Sequence, residues 1–281
     1  MFPLLVDGAM RAAELINFVF FTFLIALAWL RPLATDRRIK ATALGVAAIV
    51  LVSGAQFIGR LLGPLPTSII RDWLPAPLLL VAYWTAGLFF AGPDEKFQSR
   101  LIRFDRKVLG RLQECQGDTG TLRGIAAYFE LAYLLCYPLL PFGLGVLYMA
   151  RMGRYADEFW RIVLPSAYLC YTALPFAQTL PPRMLPTGSE SILPPAKLRT
   201  FNLWILHWGS IHINTFPSAH VATAFSVSLV LLRLLPQAGI AFLWIAISIA
   251  IGAVLGRYHY MADVIIGAAL AITIFLLEAV L

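Results

Sequence analysis

The run AGIAFLWIAISIAIGAVLG, residues 238–256, contains no charged side chain. A transmembrane α-helix needs about 20 predominantly apolar residues, so this run is long enough to cross the hydrocarbon core of a bilayer. Apolar stretches of similar length also occur at residues 12–30, 41–62, 74–91, 125–150, 160–180, 218–235 and 263–281. The pattern predicts an all-α fold, a polytopic membrane helix bundle with about eight transmembrane helices.

The overall composition is also typical of a membrane protein. Hydrophobic residues make up 60% of the chain and charged residues only 13%, whereas soluble domains contain about 25% charged residues. The strand alternation of an outer-membrane barrel is absent, and helices satisfy their own backbone groups in lipid. The net charge of +7 suits a protein beside anionic membrane lipids, and no feature indicates binding to nucleic acid.

The first substantial polar segment, residues 92–124, contains the stretch SRLIRFDRKVLGRLQE at 99–114. Its apolar residues recur at helical spacing, with Arg and Lys between them, at Leu101, Ile102, Phe104, Val108, Leu109 and Leu112. This spacing predicts an amphipathic helix that lies in the membrane interface. Such a helix could anchor the bundle or gather lipid, and the sequence leaves both roles open.

Two short polar motifs flank the predicted hairpin of helices 218–235 and 238–256. FPSAH, residues 216–220, precedes the hairpin, and RYHYMAD, residues 257–263, follows it. Because a hairpin returns the chain to the same side of the membrane, His220 and His259 can meet. His259 and Asp263 are four residues apart, a spacing that would place them on one face at the start of the last helix.

These residue types point to phosphoryl transfer through a histidine. Asp263 can hold the His259 imidazole in one tautomer and stabilise its cation. Pro217 suits the first turn of a helix, where Ser218 and free backbone N–H groups form an anion site. The reaction needs a neutral imidazole to attack phosphorus, a protonated one to supply a proton to the leaving oxygen, and fixed positive charge.

The two motifs, in this order, resemble those of the type 2 phosphatidic acid phosphatase superfamily, whose usual forms are PSGH and SRxxxxxHxxxD. The form HYxxDVxxG, the segment PPR at 181–183, FDRxxxG and YFELAYLLCYPL are similar to the branch of inositol phosphorylceramide synthases. The resemblance covers about residues 100–270. It implies a phosphatase-like six-helix catalytic core over residues 74–281, with the interfacial segment at 92–124, preceded by two extra N-terminal transmembrane helices within residues 1–73.

The resemblance further implies a membrane-embedded lipid phosphatase that cleaves a lipid phosphate, pyrophosphate or phosphodiester through a phosphohistidine. His259 would be the nucleophile, Asp263 its orienting carboxylate and His220 the acid and base. Residues expected to bind the phosphate are Arg183, Ser218, Ala219, Arg257 and Lys197. The expected partners are a lipid phosphate or phospholipid substrate and the surrounding membrane lipids, and no metal or organic cofactor is expected.

The sequence departs from the family pattern at three places. Ala219 replaces the glycine of PSGH. The family's arginine, six residues before the nucleophile, would fall at Ala253, whereas Arg257 lies two residues before His259. The first motif, KxxxxxxRP, is absent, so Arg183 is assigned through PPR, and Lys197 or Arg199 could share its role.

Three other functions remain open on the sequence. Transfer of the phospho-headgroup to a hydroxyl lipid, such as a ceramide in sphingolipid synthesis, would use the same residues as hydrolysis. A haem protein would use His220 and His259 as axial ligands. A transporter would use the histidines and Asp263 as a proton relay near the midplane.

A second histidine pair, His207 and His212, lies beside Trp204 and Trp208. Anchoring of these aromatic residues at the membrane interface is the favoured interpretation, and metal ligation is the alternative. The sequence alone does not assign either role.

The orientation in the membrane follows from two opposed arguments. Fifteen of the 22 Lys and Arg residues fall on the side of the predicted site, which the positive-inside rule would place in the cytoplasm. The family resemblance implies an extracytoplasmic or lumenal site in an inner or cell membrane. Because catalytic and interfacial charges inflate the count, the extracytoplasmic side is the expectation.

Overall fold

The computed structural model describes residues 10–114, 120–186, 192, 194 and 197–280. Parts of the predicted loops, at residues 115–119 and most of 187–196, lie outside the described residues. Within the described chain the α-helices are α1 (Ala12–Leu30), α2 (Thr35–Leu62), α3 (Pro64–Trp73), α4 (Pro75–Gly87), α5 (Glu95–Glu114), α6 (Gly120–Leu134), α7 (Leu139–Met149), α8 (Ala156–Ala173), α9 (Lys197–Gly209), α10 (Ala219–Leu234), α11 (Pro236–Leu255) and α12 (Met261–Val280).

This architecture confirms the predicted all-α polytopic bundle. In the described part of the chain, α1, α2, α11 and α12 are each long and apolar enough to cross a membrane. The pair α6 and α7 forms a fifth candidate span, bent by 69°. The helices α4, α8 and α10 lie in the other three predicted ranges, but they are not among the helices long and apolar enough to cross a membrane, so four or five of the eight predicted spans are supported.

The sharp bend between α6 and α7 divides the predicted span 125–150. The amides of Cys136 and Tyr137 donate to carbonyls three residues back, at 3.0 and 3.4 Å, so the chain tightens into single turns. Pro138, which has no N–H, follows and is the N-cap of α7. A proline at this position ends the ladder of α6 and turns the segment toward the hairpin.

The hairpin of α10 and α11 is central to the bundle. A Cβ on Gly239 would lie 2.2 Å from the backbone of Leu232, so glycine permits the tight reversal between the two helices. α10 also packs on α8, where the Ser226 hydroxyl donates to the Ser166 hydroxyl at 2.7 Å. The hairpin therefore returns the chain to the side from which α10 begins, as predicted.

The segment 92–124 contains the predicted amphipathic helix, which is α5. Leu101, Asp105 and Leu109 are buried at four-residue spacing, whereas Phe104 and Val108 are exposed. The face that packs on the bundle therefore includes a carboxylate, which the apolar pattern did not indicate. The side chain of Leu112 lies outside the described part of the chain.

Two helices were not predicted. α3 precedes α4 directly, and α9 lies within residues 181–216, for which the sequence predicts a loop. The inner face of α9 is formed by Asn202 and Leu206, both buried, and its other side exposes Trp204 and Trp208. An amphipathic helix of 13 residues among prolines is too short for hydropathy to detect.

The N-terminal helix is joined to the rest of the bundle by buried polar and aromatic contacts. Phe20 of α1 stacks on Tyr168 of α8, with ring centroids 3.9 Å apart. The Tyr168 hydroxyl donates to Asn17 at 2.6 Å. The carboxylate of Glu14 accepts from Arg71 of α3 at 2.5 Å. These contacts hold α8, which packs behind α10, in a defined place.

Candidate active site

Two histidines meet where the α10–α11 hairpin opens. His220 is the second residue of α10, and His259 lies in the short segment between α11 and α12. Their ring centroids are 5.8 Å apart, with the ring planes at 60°. The predicted meeting of His220 and His259 is therefore confirmed, and one small anion can contact both rings.

The end of α11 directs His259 into the bundle. Arg257 adopts a left-handed conformation with φ of 60°, which is the usual geometry just after a helix end. The amides of Tyr258 and His259 then both donate to the carbonyl of Ala253, at 2.9 and 3.0 Å. This reversal leaves His259 only 5% exposed.

Asp263 contacts His259 from the first turn of α12. Its Oδ2 lies 3.4 Å from His259 Nδ1 and accepts from the amide of Tyr260 at 3.1 Å. The expectation that both side chains share a face of the last helix was wrong in detail, because α12 begins at Met261. Loop geometry rather than helical spacing brings the pair together.

The backbone of Asp263 also joins α12 to the start of α10. Its carbonyl accepts from the amide of Ser218 at 3.0 Å. One turn later, a Cβ on Gly267 would lie 2.6 Å from the Ser218 carbonyl oxygen. The absence of a side chain at Gly267 therefore permits the two helix starts to approach each other.

The FPSAH segment forms the N-terminus of α10. Ser218 is the N-cap, and its hydroxyl accepts from the amide of Val221 at 3.5 Å. Ala219 is the first helical residue and does not have a positive φ, so alanine is accommodated without backbone strain in place of the family's glycine. First-turn amides of a helix have no partner within it and can bind an anion.

Arg183 supplies positive charge beside the histidines. Its backbone amide donates to the Arg257 carbonyl at 2.9 Å, and its guanidinium donates to the Tyr258 carbonyl at 3.3 Å. Burial, and then the charge of Arg183, lower the pKa of His259 to about 3. The lowered pKa favours the neutral imidazole of His259.

The other predicted phosphate-binding residues are placed differently. The Arg257 guanidinium donates to the carboxylate of Asp105 at 3.0 Å. Arg199 donates to Glu130 at 3.2 Å and to the Gly256 carbonyl at 2.9 Å. Lys197 is exposed at the first position of α9. The phosphate-binding roles of Arg257 and Lys197 stay predictions.

Aromatic residues at the bend of α6 and α7 were not predicted as part of the site. Rings of Tyr133 and Tyr137 lie 6.1 and 5.9 Å from the His220 ring. Tyr133 also stacks on Tyr258 at 3.9 Å, with the planes 7° from parallel. Polar-tipped aromatic residues within an apolar span were the available signal, because such residues need a partner when buried.

A buried carboxylate behind the site was also missed. Glu130 of α6 accepts from the Tyr258 hydroxyl at 2.6 Å and from the Asn202 side chain at 2.7 Å. Together with Arg199, these contacts join α6, α9 and the segment before His259. An acidic residue within the predicted span 125–150 was the signal, since ionisable residues at membrane depth are normally paired.

Several polar atoms around the histidines have no hydrogen-bond partner within the described residues. They are His220 Nδ1, Asp263 Oδ1 and Tyr137 Oη. Buried polar atoms are rarely left without a partner. Their concentration at one place is consistent with a polar ligand that binds there.

The second histidine pair lies apart from this site, near the end of α9. The His207 and His212 rings are 6.1 Å apart, and both side chains are exposed. No group of three or more His, Cys, Asp or Glu side chains suited to a metal occurs in the described part of the chain. Aromatic anchoring and metal ligation at this pair both stay predictions.

Comparison with known proteins identifies similarity over most of the helical bundle. The family model described as the PAP2 superfamily matches residues 99–277. A protein of Dictyostelium discoideum named as a PA-phosphatase related-family protein is 44% identical over 64 residues, which are 23% of this chain and 11% of that protein. No solved structure matches the chain.

Proposed function

Since the chain belongs to the PAP2 superfamily, a family of phosphatase-type enzymes for lipid phosphates, we propose that it hydrolyses a lipid phosphate, pyrophosphate or phosphodiester through a phosphohistidine at His259. The observation that most supports this is the convergence of His259, Asp263 and His220 at one end of the hairpin. Family membership favours phosphate chemistry over the haem and proton-relay alternatives.

In the first step, His259 attacks phosphorus. With its Nδ1–H directed to Asp263, its Nε2 lone pair forms the N–P bond. The P–O bond to the lipid breaks, and the leaving oxygen takes a proton from His220, whose protonated form is favoured by the negative charge of the bound phosphate. His259 must be neutral in this step, because only a neutral imidazole has the required lone pair.

In the second step, water replaces the lipid oxygen. Neutral His220 removes a proton from the water, whose oxygen forms a bond to phosphorus while the N–P bond breaks. The products are a neutral His259 and inorganic phosphate, or a phosphomonoester where the substrate is a phosphodiester, and His220 is again protonated. The same two residues therefore complete the cycle without any other proton carrier.

The equatorial phosphate oxygens need fixed positive charge and N–H donors. We assign this role to Arg183, to Ser218 and to the first amides of α10, beginning at Ala219. Arg183 adjoins the Tyr258 carbonyl, one residue before the nucleophile. Arg257 contributes through its contact with Asp105. Lys197 contributes least, because it is exposed at the start of α9.

Hydrolysis and transfer differ only in what accepts the phosphoryl group from His259. The name of the Dictyostelium relative, which refers to a PA-phosphatase related family, favours water, although this chain spans only 11% of that protein. The synthase-like form HYxxDVxxG favours a hydroxyl lipid such as a ceramide or diacylglycerol. We favour hydrolysis, since water needs no second binding pocket.

The test is a substrate panel with the purified chain. Lipid phosphates, pyrophosphates and phosphodiesters are supplied with and without a hydroxyl lipid, and free phosphate and new lipids are measured by mass spectrometry. Hydrolysis predicts a phosphate yield that is independent of added hydroxyl lipid. Saturable dependence on that lipid, with negligible phosphate in its absence, would establish transfer instead. No turnover of any member would refute both.

We further propose the extracytoplasmic side for the site and a catalytic core of residues 74–281, with α1 and α2 as additions. Reporter fusions at the C-terminus and within residues 92–124 test the orientation, because these two places lie on opposite sides of the membrane in the helix order. A cytoplasmic signal from the 92–124 fusion would reverse the assignment.

A further inference from the structure

The interfacial helix α5 contacts the segment that contains His259 through one buried carboxylate. Asp105 Oδ1 accepts from the backbone amide of Met261 at 2.9 Å. Asp105 Oδ2 accepts from Arg257 Nη1 at 3.0 Å. Met261 and Arg257 lie two residues after and two residues before His259. One carboxylate therefore holds both ends of the segment at whose centre His259 lies.

The two charged side chains are almost fully enclosed. Asp105 is 2% exposed and Arg257 is 5% exposed. A buried ion pair is retained at a desolvation cost, and removal of one partner leaves an uncompensated charge. Neighbouring basic residues on α5, such as Arg106, are exposed instead. Asp105 is thus buried, whereas the other charged side chains of α5 that the structure describes are exposed.

The backbone of Arg257 adds a second reason to connect this pair with the placement of His259. Its left-handed φ of 60° is a conformation that glycine normally occupies at a helix end. A residue with a Cβ is strained there. The reversal at Arg257 directs the amides of Tyr258 and His259 to Ala253. The presence of an arginine at this position is best explained by its side-chain contacts, one of which is the ion pair with Asp105.

We propose that Asp105 is a positioning residue, which fixes the Arg257–Met261 segment so that the His259 imidazole stays aligned with Asp263 and His220. It does not touch the substrate and acts through Arg257 and the Met261 amide. The expected effect of Asp105 on turnover rests on the proposed function, whereas its effect on the placement of the Arg257–Met261 segment does not. The FDRxxxG segment of α5 then has a role in the geometry of the site as well as at the interface.

A pair of double variants separates positioning from charge burial. D105A/R257Q and D105N/R257Q both lack the buried charges, so neither contains an uncompensated ion. Only the asparagine side chain of D105N/R257Q can still accept from the Met261 amide and hydrogen-bond the side chain at position 257. Both variants lack Arg257, so any contact of Arg257 with phosphate is lost equally. R106Q, on the exposed side of α5, is the matched control.

Two measurements are made on the full-length chain in nanodiscs. Hydrogen exchange is followed by mass spectrometry on the peptide that includes residues 257–263, and kcat and KM are measured with dioctanoyl phosphatidic acid. We expect faster exchange and about 100-fold lower kcat in D105A/R257Q than in D105N/R257Q, since a displacement of about 1 Å can have this effect on turnover. KM should be similar in the two, and R106Q should match the unmodified chain.

Equal exchange in the two double variants would overturn the proposal, and so would equal kcat despite different exchange. If the unmodified chain hydrolyses no lipid phosphate, the proposed function fails, and the exchange comparison alone then decides whether Asp105 holds the segment. The two failures are therefore distinguishable.

Discussion

The Nδ1 atom of His259 lies 3.4 Å from Oδ2 of Asp263, and the same oxygen accepts from the Tyr260 amide at 3.1 Å. The backbone therefore holds the carboxylate of Asp263 in place beside the imidazole. Hydrogen bonds at catalytic residues are often long in a free enzyme and shorten when substrate binds. This relationship supports a role for Asp263 in orienting His259.

Asp263→Asn should therefore lower turnover by roughly 10⁴-fold, because the amide keeps the shape but can favour the wrong imidazole tautomer. The measurement is kcat with phosphatidic acid, with Asp36→Asn, an exposed change on α2, as the control. An unchanged rate would show that Asp263 does not orient the nucleophile.

His220→Gln should affect substrates according to their leaving group. With an alkyl phosphate, loss of the general acid should lower the rate of the first, phosphoryl-transfer step by about 10²–10⁴-fold. With p-nitrophenyl phosphate, whose leaving oxygen needs no proton, the loss in this step should be much smaller. The ratio of the two single-turnover rates of leaving-group release is the measurement, and an equal loss on both substrates would exclude His220 as the acid.

Gly267→Ala tests whether the close approach of α12 to α10 matters for the site. The added Cβ would lie 2.6 Å from the Ser218 carbonyl oxygen, so we expect destabilisation of about 1–3 kcal/mol and a marked loss of kcat. Gly145→Ala is the control, because nothing lies within 4 Å of a Cβ at that position. Thermal unfolding and kcat are measured together. Full activity in Gly267→Ala would show that the site tolerates the displacement.

Turnover should persist in EDTA, since the proposed mechanism uses imidazoles, an arginine and backbone amides only. Vanadate should inhibit, because it adopts the trigonal bipyramidal geometry of phosphorus under attack. The measurement is phosphate release before and after chelation, followed by addition of single divalent ions. Loss of activity that one ion restores would instead favour His207 and His212 as metal ligands.

Hydropathy was sufficient to predict most of the fold. Long apolar runs such as Pro236–Leu255 must satisfy their backbone hydrogen bonds within the segment when they lie in lipid, so their helices were predictable. The bend before Pro138 and the short helix α9 were not, because a local turn and 13 amphipathic residues leave little trace in a hydropathy window. The hairpin then brought His220 and His259 together as its topology required.

The supporting contacts of the site were beyond sequence reasoning. Asp105 and Arg257 are 152 residues apart in the chain, and Glu130 and Tyr258 are 128 apart. No periodicity relates residues at such separations. The four-residue spacing of His259 and Asp263 predicted that both lie on one face of the last helix. This was wrong, because α12 begins at Met261, after His259.

The central claim is that His259 becomes covalently phosphorylated, and trapping the intermediate tests it most directly. The chain is mixed with ³²P-labelled phosphatidic acid, quenched in alkali within milliseconds and digested, and the labelled peptide is identified by mass spectrometry. We predict an acid-labile, alkali-stable label on His259 that is absent in His259→Ala and present in His207→Ala, whose histidine is exposed. Continued turnover in His259→Ala, or a label on another residue, would contradict the account.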